Sequence, residues 1–490
     1  MNTIINKINF KDKSFVKSCI WRVLSIVYAL YLIKLNYVRI FDFNLWSDEC
    51  FSVKMARLGF FGMLDGTAAD VHPPLYYVFV ILCTKLFGES GFSLHLSAFI
   101  FYVATVIFIL TFVWNKFGKE SSILMLTLCS ISSNAVRYNV EVRMYSLAFF
   151  MCLVSFCGLY LILKDTSKWT GYIVFVIASL GAAYSHYYAM IAVAFFYLAI
   201  LILTIQKKIE LKKLIFTYAV TILGYLPWLF KMLTTFARTA DGFWMTDYSH
   251  VDECIESFYP HPYDFFPYAL FAMTIGVVIY SIILDIRSRD KVWSIDSIWM
   301  LWGLIAALGT MLIGILISVL IQPSFITRYL YPICSAMWMV LAVGICKVSI
   351  SGRPYGKYIC LVLAVVSFIM YKPMYNFYQA AEAAENQRFE ETLAQMRDMI
   401  SSDDVILTDY YHYNLTIIDT YLPDNSHERI KDNFEAYDFD PDTQYWFLVT
   451  HEIDDEAAGF LSSHGYQAEP VIENGSFGTL DMYLYRIDKL

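Results

Sequence analysis

Asp48 and Glu49 stand side by side in the stretch LWSDECFSVKMARLGFFGMLDGTAADVHPPLYYVF, residues 45–79, and Asp70 and His72 follow just before Pro73 and Pro74. A carboxylate at the edge of an apolar environment suits general-base work, because partial loss of hydration raises its pKa toward a useful value. The same two acids also suit a helix start: Ser47 and Asp48 are good caps for a helix beginning at Phe51, and acids favour a helix N-terminus. Asp70 and His72 can hold a polar substrate or order the loop that holds one. The two prolines fit the first positions of a helix, and Tyr76 and Tyr77 fit the aromatic belt of a membrane interface.

Further along, Arg137, Glu141, Arg143 and Tyr145 lie within RYNVEVRMY. These charges can be interfacial side chains with an Arg-Glu pair, or Glu141 can complete an acidic pocket with Asp48. Arg328, in QPSFITRYLYP, carries a planar guanidinium with paired donors, a good partner for a lipid phosphate as well as a residue that snorkels. His186, in SHYY, belongs to the aromatic belt or contacts substrate.

These residues must be positioned by a strongly apolar chain. Of 490 residues 58% are hydrophobic and only 16% charged, which excludes an ordinary soluble enzyme. Apolar runs at 19–40, 93–114, 121–137, 143–164, 169–185, 187–206, 213–232, 266–286, 298–321, 329–348 and 357–373 predict about eleven transmembrane helices. The run PPLYYVFVILCTKLF (73–87) is short and contains a Lys, so it is expected to lie in the interface, in the first outer loop, 42–91. The Lys- and Arg-rich connections NKFGKE, KDTSK, QKKIELKK, RSRDK and KVSISGRPYGK then face the cytoplasm. That arrangement places the N-terminus inside and the clusters around Asp48, Asp70, Glu141, His186 and Arg328 outside, and makes residues 1–373 the membrane domain of a multi-pass cell-membrane protein.

Residues 374–490 hold 24 Asp and Glu against 6 Lys and Arg, so they carry about −18 while the apolar part carries about +10. A helical stretch at 382–400, strand-like DVILTDY and YWFLVTHE, a helix near 454–463 and alternating TLDMYLYRI predict a small extracytoplasmic α/β domain. The fold class is thus an all-α polytopic membrane protein with interfacial helices in its first outer loop and a small C-terminal α/β soluble domain. The ten Cys are scattered, with no CxxC, so they read as core residues and not as a zinc site or disulfide framework. No nucleic-acid partner is expected.

The order Asp48-Glu49, Asp70-x-His72-Pro73-Pro74-Leu75-Tyr76-Tyr77, LFGESGFSLHLSA, Tyr138-x-x-Glu141-x-Arg143-x-Tyr145 and Arg328-Tyr329-Leu330 resembles the GT-C membrane glycosyltransferases. Within them it is most similar to the branch of protein O-mannosyltransferases and lipid A aminoarabinose transferases, over roughly residues 20 to 350. The resemblance implies a sugar donor linked to polyprenyl phosphate, and transfer outside the membrane with inversion at the anomeric carbon. It implies Asp48 as catalytic base with Glu49 beside it, Glu141 and Arg143 as the second-loop acid and Arg, and Arg328 facing the donor phosphate. Substrate contacts are expected also at Asp70, His72, Tyr76, Tyr145 and His186. His95 departs from the family, which usually has Arg there, so a phosphate contact at that position requires a protonated imidazole.

A lipid phosphate leaves readily once an Arg offsets its charge, so the two-carboxyl arrangement of a glycosidase is unnecessary. No cofactor is expected. A divalent metal is not favoured, since the loop has no DxD and no His cluster. The acceptor, whether protein, lipid or glycan, is not legible. A transporter or flippase for the lipid carrier is the alternative, but such proteins commonly carry ionisable residues near the membrane midplane. A non-enzymatic scaffold would be insensitive to Asp48→Asn.

Overall fold

A computed structural model describes residues 13–70, 72–239, 247–261, 263–288, 293–349, 352–408, 413–430 and 437–490. Among them nine helices are long and apolar enough to cross a membrane: Val16–Tyr37, Gly91–Phe117, Tyr145–Lys164, Tyr187–Ile205, Leu211–Thr234, Phe265–Arg287, Ile295–Leu320, Thr327–Cys346 and Tyr355–Met399. The other two expected spans are shorter helices. Trp169–Ala183 has 15 residues, and the run at 121–137 divides into Lys119–Ile131 and Ser133–Tyr138 at an extended Ser132. Beyond the break the Ser133 hydroxyl donates to Pro260 O and the Asn134 amide to Ser257 O.

The chain falls into two compact units. The first comprises Met1–Ile40, Leu64–Tyr76 and Leu96–Tyr375. Its core is built around indoles: Trp299 stacks on Phe156 at 4.2 Å and donates to Phe156 O, while Trp338 donates to Phe258 O. Two fully buried tryptophans can be tolerated there because each N–H has a partner. Leu, Ile and Val side chains such as Val365, Leu223 and Ile369 stay exposed on the spans, as a lipid-facing surface requires.

The second unit comprises Phe41–Met63, Tyr77–His95 and Asn376–Leu490. It contains the helix Ser47–Arg57, most of the helix Leu75–Phe87 and a five-stranded sheet. The sheet strands are β1 Val405–Thr408, β2 Ser426–Arg429, β3 Tyr445–Val449, β4 Tyr466–Phe477 and β5 Leu480–Lys489, in the order β2-β1-β3-β5-β4. β1 is parallel to β2 and β3, whereas β5 runs antiparallel to β3 and β4. Phe447, Val449, Leu461 and Ile487 form part of its core.

Most of this tail follows the expected strands and the helix Asp455–Ser463. Three elements were not foreseen, namely β2, β4 and the helix Tyr413–Tyr421. The stretch 382–400 is no separate helix either: a single helix, Tyr355–Met399, runs through Pro373. All ten cysteines are free and eight are buried, in keeping with core roles.

Helices Tyr145–Lys164 and Trp169–Ala183 pack closely because Gly158 has no side chain; a Cβ there would lie 2.9 Å from Phe175 Cα. This hairpin ends in Tyr145 on one helix and leads to His186 on the other. Gly158→Val is therefore expected to destabilise the protein by about 1–3 kcal/mol through overpacking. A thermal unfolding midpoint in detergent several degrees lower checks this.

Candidate functional site

Site residues of the helical unit converge from four segments. The Asp70–Pro74 segment is fixed at its end by Leu75, whose N–H donates to Tyr184 O at 3.0 Å. Pro73 and Pro74 have no N–H to offer, so Leu75 supplies the first donor of the helix Leu75–Phe87. Tyr76 is fully buried, and its hydroxyl shares a 2.7 Å hydrogen bond with Ser97. The turn after Ser133–Tyr138 is held by Asn139, whose amide donates to Cys129 O at 2.9 Å and to Asn36 Oδ1 at 3.3 Å. Arg328 lies on the 3-10 turn Thr327–Leu330, anchored where Thr327 N donates to Ser249 Oγ at 3.1 Å.

At the centre is Arg143, only 1% exposed. A buried guanidinium costs several kcal/mol unless it is paired and hydrogen-bonded. Its Nη2 lies 2.8 Å from His72 Nε2, and His72 Nδ1 lies 2.9 Å from Asp70 Oδ2. Arg can only donate, so His72 Nε2 accepts and Nδ1–H donates to the Asp70 carboxylate. The three residues thus form one chain of alternating donors and acceptors, with the imidazole neutral and in a single tautomer. Two residues from Arg143, the buried Glu141 carboxylate pairs with Arg137 at 3.5 Å.

Aromatic rings line the same region. Tyr138 and Tyr145 are 4.7 Å apart, Tyr145 and His186 5.7 Å, and His186 and Tyr329 5.2 Å, with Tyr329 stacked on Tyr188. Arg328 sits 5.9 Å from the Tyr329 ring centroid. His186 accepts from Tyr188 N at Nδ1, which leaves Nε2 as the donor. Burial, reinforced by the positive charges of Arg143 and Arg328, pushes its pKa down to about 3. The cluster therefore offers two guanidinium groups and a neutral imidazole among tyrosine rings, a set suited to an anionic phosphate flanked by a sugar.

Asp48 and Glu49 belong to the second unit, as does His95, which is buried in the helix Gly91–Phe108. Their helix starts at Ser47, four residues before the expected Phe51. Glu49 is the reason: its carboxylate accepts from Trp46 N at 3.3 Å and so caps the helix from within its first turn. The capping role expected of the acid pair thus falls to Glu49. Among the described residues no group of three His, Cys, Asp or Glu side chains is placed to hold a metal ion.

Residues 71–230 match the family model of dolichyl-phosphate-mannose-protein mannosyltransferases. No curated protein sequence matches the chain. Among solved structures, ArnT from Cupriavidus metallidurans in the apo state is similar with a TM-score of 0.62 at 10% identity, covering 96% of this chain and 98% of that one. The same protein bound to undecaprenyl phosphate gives 0.58 at 10% identity, with 95% and 98% covered. The Archaeoglobus fulgidus oligosaccharyltransferase in complex with zinc and sulfate gives 0.51 at 12% identity, with 94% and 72% covered. The fold is that of the GT-C glycosyltransferases, as the motif resemblance implied.

Because His186 stays neutral when folded but takes up a proton near pH 6.5 when unfolded, the unfolded state gains protons first as pH falls. Stability is thus expected to be full above about pH 6.5 and to decline from there toward pH 3. Thermal midpoints measured between pH 7.5 and 4.5 should fall less steeply in His186→Asn than in wild type.

Proposed function

We propose that the protein is a membrane glycosyltransferase that moves a sugar from a polyprenyl-phosphate carrier to an acceptor on the extracytoplasmic face. The observation that carries this reading is the buried Arg143, oriented by His72 and Asp70, in one cluster with Arg328 and neutral His186. The fold and the family model over residues 71–230 support it, as does the undecaprenyl phosphate bound to ArnT. The excess of Lys and Arg in the connections assigned to the cytoplasm supports the sidedness, with residues 374–490 extracytoplasmic.

In this mechanism a bond forms between the acceptor's oxygen or nitrogen and the anomeric carbon as the bond from that carbon to the phosphate oxygen breaks. Attack from the face opposite the phosphate inverts the centre. The proton of the nucleophile passes to Asp48, the base that the resemblance implies, and Arg143 and Arg328 offset the charge on the departing polyprenyl phosphate. Glu49, committed to its helix cap, holds the turn beside the base.

The test is donor consumption with release of polyprenyl phosphate by the purified protein in nanodiscs, with several donor sugars and membrane extract as acceptor source. Asp48→Asn is expected to lose about 10²–10⁴-fold in turnover with donor binding retained. Arg328→Ala and Arg143→Ala should weaken donor binding by about tenfold or more, as loss of a charge-assisted contact to phosphate predicts. No consumption of any donor in a broad panel, or variants that behave as wild type, would sink the reading.

A further inference from the structure

The helix that carries Asp48 is held from both ends by residues more than 350 positions later in the chain. Just before it, the extended segment at Phe43–Leu45 pairs with no strand among the described residues, so its backbone groups need other partners. Tyr421, 1% exposed at the end of the helix Tyr413–Tyr421, supplies them. Its hydroxyl accepts from Leu45 N at 2.6 Å and donates to Phe43 O at 2.7 Å, and its ring meets Phe43 edge-on at 5.5 Å. Between these two residues Asn44 Oδ1 accepts from Thr479 N at 3.1 Å, in the turn joining β4 and β5.

At the other end Lys54 pairs with Asp419 at 2.9 Å, and Arg57 donates to Asp419 O at 2.5 Å and Thr420 O at 3.0 Å. The rest of the Arg57 guanidinium forks onto Glu89 at 3.0 and 2.6 Å. An 11-residue helix bound at its entry and its exit has little freedom to shift or rotate.

We propose that Tyr421 is a positioning residue for Asp48, and that residues 413–490 act as a clamp setting where the candidate base stands. The proposal rests on the reading of Asp48 as base. It assigns the acidic tail a part in catalysis without any contact with substrate: the tail fixes the base and leaves donor binding to the helical unit.

Three measurements on the full chain test it, with Tyr421→Phe and, at the far end of the helix, Arg57→Gln in case the first fails to fold. Turnover should fall about tenfold in each, as displacement of a reacting group predicts, with donor KM unchanged. In an Asp48→Asn background the same substitutions should cost nothing further. Hydrogen exchange across residues 43–52 should accelerate in Tyr421→Phe, and exchange in the helix Tyr145–Lys164 should not. A raised donor KM, or equal losses in both backgrounds, overturns the positioning role. Unchanged exchange at 43–52 overturns the clamp whatever the kinetics. Equal turnover of wild type and Asp48→Asn has a separate meaning: it removes the base assignment, and the positioning of a base with it.

Discussion

A cation buried away from water must be surrounded by its own partners, and Arg143 makes that demand on the helical unit. Its contact with His72 fixes an imidazole tautomer, that tautomer fixes the hydrogen bond to Asp70, and the segment bearing both is held by the Leu75 bond to Tyr184. Tyr184 in turn precedes His186, so the same few residues set the aromatic side of the cluster. The close approach at Gly158 keeps the two helices that lead into this region in register. Removing one partner would leave a charge without compensation in a site of low dielectric, which is why the arrangement acts as a unit.

Much of this is legible in the sequence, and the reasons differ from residue to residue. Apolar runs of adequate length marked the spans because lipid tolerates little else. Where the runs were interrupted by weak signals the reading slipped: Ser132 splits one run, and Pro373 fails to end a helix that continues to Met399. Asp70, His72 and Arg143 stood out by type. Their connection did not, because no periodicity reports that residues 71 positions apart share a hydrogen bond.

The tail shows the same limit. β3 and β5 announced themselves by apolar content or alternation, whereas β2 is the polar sequence SHER at a sheet edge, and β4 contains Pro470, Asn474 and Gly475 with irregular register. Tyr421 was invisible for another reason. Its importance lies in two backbone groups at Phe43 and Leu45, and a tyrosine in YNLTIIDTY looks like any other. Glu49 was read as half of an acid pair suited to a helix start, and the backbone path shows that the cap falls to it from inside the first turn.

The separation of 376 residues between Leu45 and Tyr421 also sets an order of events during synthesis. A chain emerging from the ribosome presents its N-terminal helices first, and its domains fold as they appear. The segment before Asp48 is made early, but its partner follows 376 residues later. Until then Leu45 N and Phe43 O lack the hydroxyl that joins them. The helix carrying Asp48 therefore acquires its final placement only after synthesis has passed Tyr421, long after its own residues are made.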